Sequence, residues 1–252
     1  MRVVVVGGTG YVGRRVVEAV QHLGHAVVSA SPSNGVNTVT GRGIDRALER
    51  ADVVIDVTNP TSTDAVAARE FFQASTRRLL KAEREVGVKH HVVLSLVGAD
   101  SSANDGYFSA KAAQESMVEA GSIPFSILRA TQFFEFARTI AAWNTHEDTV
   151  RLPGTEVEPI AVHDVVAALV EVASSAARNT VVDIAGPERM SLDGFVRQVL
   201  LKDHDTRYVV QDASALPHGF NVGGRLLVPA GSDRMIAPTT LGQWLDTSNG
   251  RR

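Results

Sequence analysis

The segment Asn104 to Glu115, NDGYFSAKAAQE, places Tyr107 four residues ahead of Lys111 at what reads as a helix start. Residues four apart share one helix face. A phenol and an ammonium at that spacing could work together on one reacting group, as proton donor and cation, or they could simply occupy a surface helix. Twelve residues before Tyr107, Ser95 stands near the end of the apolar run VVLSL. A hydroxyl so deep in a buried strand requires a partner. At the carboxyl end of a strand in an open α/β sheet, that partner can be a ligand. The chain has three tyrosines and four lysines, so finding Ser95, Tyr107 and Lys111 around one strand end points to a catalytic set.

The N-terminal stretch VVVVGGTGYVGRRVVEAV reads as strand, glycine turn and helix. Gly7, Gly10 and Gly13 form a G-x-x-G-x-x-G variant of the dinucleotide fingerprint, with Thr9, Tyr11 and Val12 inside the turn. The glycines would serve a tight turn, close backbone approach to a pyrophosphate, and close helix–strand packing. The helix N-terminus would present unpaired N–H groups to the anion. The bland alternative is a glycine-rich turn with no ligand. An NAD-preferring site usually carries a carboxylate about 20 residues after the glycines, yet no Asp or Glu lies between Glu18 and Asp45. Instead the second strand runs into SASPSNG, where Ser29, Ser31, Ser33 and Asn34 offer donors to a 2′-phosphate without repelling it. Arg14, Arg15 or Arg42 could add the cation. NADP(H) is therefore favoured over NAD(H), against a plain Ser-Pro turn.

Strand-end geometry selects further candidates. Thr58 and Asn59 would lie over the cofactor riboses or serve only as turn residues, and Arg129 follows as a cofactor-side residue. Gln132, Phe133, Phe134 and the nearby Phe136 would wall a substrate pocket or pack as core.

These residues need a scaffold. Apolar bursts at 2–6, 25–30, 36–40, 52–57, 90–97, 124–130 and 180–185 read as seven strands, with little alternation, as strands buried on both faces should. Helical spacing fills 11–23, 63–86 and 107–120, and Gly24, Gly87 and Gly121 fall at expected helix C-caps. The fold class is α/β, a doubly wound parallel sheet of about seven strands. Past residue 130 the pattern loosens, with helices expected in TQFFEFARTIAAW, VHDVVAALVEVASSA and SLDGFVRQVL, and a short strand at VEPI. Residues 1–252 are expected to form a single domain, with about 130–160 and 203–252 making a small C-terminal, substrate-side lobe.

A net charge of −3 argues against coating nucleic acid, and the absence of cysteine excludes thiolate chemistry and disulfides. No apolar run approaches the ~18 residues of a membrane span, and MRVVVVGG lacks a signal peptide's flanks. A soluble cytoplasmic protein is expected, monomer or homodimer, with a small-molecule substrate and neither nucleic acid nor membrane as partner. His90 and His91 have no metal-ligand spacing, HED at 146–148 reads as a polar loop, and Asp164 reads as a cap, so no metal site is expected. No H-E-x-x-H or G-x-S-x-G occurs.

Taken together, GGTGYVG, Ser95 and YFSAK resemble the short-chain dehydrogenase/reductase superfamily. LRATQFFEF, VEPIAVHDVVAALVEVA and DIAGPERMSLDGFV are similar to its atypical, NmrA-like NAD(P)H-binding branch. The resemblance covers nearly the whole chain and weakens after about residue 203. It implies a Rossmann-type fold with Ser95, Tyr107 and Lys111 as the Ser-Tyr-Lys set. Tyr107 would give a proton to a carbonyl oxygen, and Ser95 would hold that oxygen. Lys111 would bind the nicotinamide ribose and pull the phenol pKa down from ~10. The implied activity is NADPH-dependent reduction of a small carbonyl, enone or quinone. The alternatives are a nucleotide-sensing regulator without turnover, as in some members of the branch, and an epimerase or dehydratase that retains its cofactor.

Overall fold

A computed structural model describes residues 1–62, 64–100, 106–215, 228–229 and 234–248. Val3 to Val6 are buried on both sides, as expected of a central strand in a parallel sheet. The chain runs β1 (Arg2–Val6), α1 (Gly13–His22), β2 (Ala26–Ala30), α2 (Ile44–Leu48), β3 (Val53–Asp56), α3 (Ala65–Val86), β4 (His90–Leu96), α4 (Tyr107–Glu119) and β5 (Phe125–Ala130). It continues through α5 (Ala137–Trp143), β6 (Thr145–His146), β7 (Thr149–Leu152), β8 (Glu156–Val157), α6 (Val162–Ser174) and β9 (Thr180–Ala185). The last elements are β10 (Met190–Ser191), α7 (Leu192–Lys202), β11 (Tyr208–Gln211), β12 (Arg234–Ile236) and α8 (Leu241–Ser248).

Seven strands form one parallel sheet in the order β12-β9-β5-β4-β3-β1-β2. Alternate residues face opposite layers. Val3, Val5, Ile55, Val92 and Leu128 pack with the residues of α1 and α6, whereas Val4, Val6 and Val54 pack with α2 and α3. Val93 and Ile127 meet Val118 of α4 on that second side. Burying a side chain of this size stabilises by about 1.5–3 kcal/mol. The chain order reverses between β1 and β3, which places the switch-point crevice at their carboxyl ends.

The sheet has seven strands, but not the seven read from the sequence. Segment 36–40 is a turn. Asn37 Oδ1 accepts the N–H groups of Val39 (2.9 Å) and Thr40 (3.0 Å), a local side-chain bond that outcompetes the β-branched run. The sheet therefore ends at β2, and its seventh strand is β12 at the opposite edge. Gly24 and Gly87 take φ of +75° at their helix ends, but Gly121 does not lie among the left-handed glycines. Helix α4 ends on Ala120 in right-handed geometry.

A second core joins Phe108, Phe134, Ile140, Leu152, Phe195, Val199, Leu241 and Trp244. It packs below a three-stranded sheet, β11-β7-β6, and a two-stranded sheet, β10-β8. Glu135 links its parts, accepting Val162 N at the start of α6 and Trp244 Nε1 from α8 (3.1 Å). Of the segment expected in the lobe, residues 216–227, 230–233 and 249–252 lie outside the described residues.

His91 and Glu83 bury an ion pair between β4 and α3, with Nδ1 2.9 Å from Oε1 and both side chains fully covered. Burial alone would push the His91 pKa down, but the Glu83 carboxylate outweighs it and holds the value above the usual imidazole range. Removing one member of such a pair strands the other. Glu83→Ala is expected to lower the unfolding free energy by about 3–5 kcal/mol, measured by urea denaturation. Because the histidine pKa is raised on folding, this contribution is full at acidic pH and fades as pH climbs through the folded value.

Candidate functional site

The glycine turn is dictated by crowding. Gly7 takes φ of +82°, and a Cβ there would sit 2.8 Å from the Val57 carbonyl at the end of β3. A Cβ at Gly13 would collide with the Gly7 carbonyl, so α1 can pack against the turn only through glycine. Gly10 N donates to Gly7 O at 2.9 Å and closes the loop. Helix α1 has no side-chain cap and no acidic residue in its first turn. Arg14 N and Arg15 N donate back to Gly10 O and Val12 O, so an anion would be met by the N–H groups ahead of them. Arg14 and Arg15 lay their guanidinium groups over the Tyr11 ring at 5.4 and 4.1 Å, and Arg15 donates to Tyr11 O.

The serine loop abuts this turn. Ser31 Oγ and Ser33 Oγ are 2.9 Å apart, and Ser33 reaches Thr9 Oγ1 at 3.4 Å. Asn34 Nδ2 donates to Ser29 O at 3.0 Å. Thr9 and the Ser29–Asn34 loop thus make one continuous polar rim, with Ser33 and Asn34 exposed. No carboxylate lies in the rim.

On the far side of the crevice, Tyr107 opens α4, and its hydroxyl donates to Asn59 Oδ1 at 2.7 Å. Its ring meets Phe72 edge-on at 5.9 Å. Burial pushes the phenol above its ordinary value, with no cation counteracting it. Lys111 is turned inward. Its ammonium donates to Leu94 O at 2.7 Å and to Gln114 Oε1, and lies over the Phe72 ring at 4.7 Å. Burial pulls its pKa down to about 8, against the opposing charges of Asp56 and Glu115. The expectation that Lys111 favours the tyrosinate is therefore corrected: Phe72 lies against both side chains, and the ammonium bonds Leu94 O of β4 and Gln114 Oε1 of its own helix. Asn59 also differs from expectation, since its amide oxygen is engaged by Tyr107 rather than left for a ribose.

Two further candidates have partners inside the chain. Arg129 donates from Nε to Glu115 Oε1 (2.9 Å), from Nη2 to Glu115 Oε2 (2.5 Å) and from Nη1 to Asp100 Oδ2 (2.6 Å). Phe134 is 1% exposed and packs on Phe195 and Trp244 in the second core. A parallel β-bridge pairs Phe133 with Ile160. Phe133 remains half-buried beside Phe136, at 5.8 Å.

Three buried polar atoms stand without a partner among the described residues at the carboxyl ends of adjacent strands: Thr58 Oγ1 after β3, Ser95 Oγ in β4 and Gln132 Oε1 after β5. Buried hydroxyl and amide groups are normally bonded, so this row of orphans fits a polar ligand in the crevice. Together with the glycine cradle and the uncapped α1, it suits a dinucleotide. Sequence reasoning missed Asp56, Phe72 and Gln114. Asp56 was signalled by a carboxylate ending the apolar run VVID, and Gln114 by its position three residues after Lys111.

Residues 7–174 match the NAD(P)H-binding family. A relative, the photosystem II assembly factor Ycf39 of Synechocystis, is 28% identical over 172 residues, 59% of this chain and 53% of that protein. The chain thus spans about half the length of that relative. MoeE5 in complex with UDP-glucuronic acid and NAD superposes with a TM-score of 0.76 at 18% identity, over 98% of this chain and 97% of that one. UDP-glucose 4-epimerase of Thermotoga maritima gives 0.73 at 16% identity, over 97% and 96%. RMD from Pseudomonas aeruginosa, complexed with NADPH, gives 0.69 at 16%, over 98% and 97%. Identities this low show a shared fold alone. The chain belongs to the NAD(P)H-binding family, and its sheet and glycine turn are those of a Rossmann-type α/β fold.

Because a methyl group at residue 13 must push α1 away from the turn, Gly13→Ala is expected to weaken NADPH binding by at least about tenfold. Titration of nucleotide fluorescence checks this, with Gly24→Ala, distant from the turn, as the comparison.

Proposed function

We propose that this member of the NAD(P)H-binding family is an NADPH-dependent oxidoreductase that reduces a small carbonyl, enone or quinone, with Tyr107 as proton donor. The observation that carries the reading is the row of unpartnered polar atoms on Thr58, Ser95 and Gln132 at the ends of β3, β4 and β5, with Thr58 next to Asn59, which accepts the Tyr107 hydroxyl.

The glycine turn from Gly7 to Gly13 and the α1 N-terminus would hold the pyrophosphate. Thr9, Ser29, Ser31, Ser33 and Asn34 would face the adenosine 2′-phosphate. The bound nicotinamide would supply the hydride. Tyr107 keeps its proton because burial disfavours phenolate, which suits a group that must donate to a substrate oxygen. In the resting protein Asn59 Oδ1 accepts that proton's hydrogen bond, and the substrate oxygen would take over as acceptor. Ser95 Oγ, with no partner of its own, would donate to the same oxygen. Lys111, charged below about pH 8, would bind the nicotinamide ribose with the N–H left over from Leu94 O and Gln114 Oε1. Residues about 130–160 and 203–252 would form the substrate side, with Gln132 and Phe133 nearest the crevice.

A second reading, a nucleotide-responsive protein that binds a partner without turnover, draws on two observations. The Tyr107 phenol is raised rather than activated, and a relative is a photosystem II assembly factor. An epimerase or dehydratase that retains its cofactor draws on fold likeness to proteins solved with UDP-sugars.

NADPH oxidation over a panel of ketones, enones and quinones tests the proposal. Tyr107→Phe is expected to lose 10²–10⁴-fold in kcat, with the NADPH Kd within about threefold of wild type. Equal rates would remove Tyr107 from the mechanism. Nucleotide binding with no turnover, plus a partner retained in one redox state only, would favour the sensor. Turnover without net NADPH consumption would favour the epimerase.

Since the ammonium form of Lys111 is the useful one, kcat/KM is expected to hold below about pH 8 and to fall above it. In the rim, Ser33→Asp places a carboxylate beside Thr9 and is expected to raise the NADPH Kd by about tenfold or more while sparing NADH. An unchanged NADPH/NADH ratio would overturn that assignment.

A further inference from the structure

We propose that Gln114 is the positioning residue for Lys111, its amide gripping the ammonium with one end and the sheet with the other. The inference rests on the reading of Lys111 as part of the active site. Gln114 is 1% exposed and lies on the buried face of α4. Its Oε1 accepts from Lys111 Nζ, and its Nε2 donates to Asp56 Oδ2 at 3.0 Å. Asp56 Oδ1 in turn accepts Thr58 N at 2.9 Å. The carboxylate therefore fixes which way the amide points: only Nε2 can face Asp56, so only Oε1 can face Lys111.

This chain joins the two sides of the candidate site. Thr58 is adjacent to Asn59, which accepts from Tyr107, and Leu94, whose carbonyl accepts from Lys111, is adjacent to Ser95. A lysine side chain on a flexible four-carbon stem takes many directions. Here two acceptors and the Phe72 face leave it one. Gln114, held by its carboxylate anchor, sets the direction of the ammonium, while burial lowers its pKa and the charges of Asp56 and Glu115 oppose that.

The charged groups around Lys111 are few and identifiable. Asp56 faces it from β3 and Glu115 from its own helix, and Glu115 is paired with Arg129 of β5. Glu83 of α3 and His91 of β4 form a closed pair next to Asp56. Gln114 is the neutral link between the cation and the carboxylate of β3.

Lysine labelled with ¹³C at Cε gives an observable that needs neither nucleotide nor turnover, and with four lysines in the chain Lys111→Arg assigns the signal. In wild type the buried Lys111 is expected to titrate at about 8. In Gln114→Met, which removes the acceptor while keeping the length, the Lys111 midpoint is expected to drop further by about half a unit or more. In Gln114→Glu, whose carboxyl must share one proton with Asp56 where Nε2 donated before, the acceptor facing Lys111 gains partial negative charge and the midpoint is expected to rise by about one unit. The alkaline limb of kcat/KM should move with the midpoint in each variant. Rescue of the NADPH Kd by Glu but not by Met separates positioning from simple packing.

Unmoved lysine midpoints in both variants, with the far-UV spectrum unchanged, would overturn the proposal. If Gln114→Met fails to fold, Gln114→Glu and Asp56→Asn decide it, the latter being expected to lower the midpoint. Shifted midpoints in a protein that turns over no substrate would leave the Gln114 assignment standing and sink the reductase reading instead.

Discussion

Helix α4 is fastened to the sheet by polar contacts, one to each of three consecutive strands. Gln114 bonds Asp56 of β3, Lys111 bonds the Leu94 carbonyl of β4, and Glu115 forms a two-point ion pair with Arg129 of β5. All three helix residues are buried. A buried charge is tolerated only when it is paired and bonded, so each contact accepts very little displacement. A greasy helix face could slide by part of a turn and repack. This one cannot slide without stranding a charge, and that fixes where Tyr107, at the helix's first turn, stands relative to Asn59. The arrangement of the candidate site descends from this docking.

The other half of the crevice is held by the opposite kind of constraint. Where α4 relies on bonds, the turn before α1 relies on missing atoms: side chains at Gly7 and Gly13 would strike the end of β3 and the turn itself. Backbone approaches backbone closely enough there that a ligand would meet N–H groups rather than side chains. One wall is thus defined by polar pairing and the other by exclusion, and both converge at the carboxyl ends of β1, β3 and β4.

Much of this was legible from the residues. Valine runs without alternation marked the central strands because both faces of the sheet are covered, and the glycine spacing marked the turn because no other residue fits it. Segment 36–40 misled because its β-branched run says strand while Asn37 says turn. A side-chain bond two residues long forms without waiting for the sheet. Strand β12 was missed because three residues with one exposed isoleucine carry almost no pattern of their own; the register with β9 defines it. In the site, spacing correctly put Tyr107 and Lys111 on one face but could not say where a long side chain points. Lys111 found a carbonyl and an amide, Arg129 found Glu115, and Phe134 found the second core. Such choices depend on which partners come near from distant parts of the chain.

The loss of a strand at 36–40 leaves β2 as the rim of the sheet, and a bare rim invites a neighbouring molecule's strand to zip on and begin aggregation. The Asn34 amide sits on the Ser29 carbonyl, so one of the hydrogen-bond acceptors an intruding strand would use is already taken. The same short loop that meets the glycine turn therefore also narrows what the open rim offers to an incoming strand.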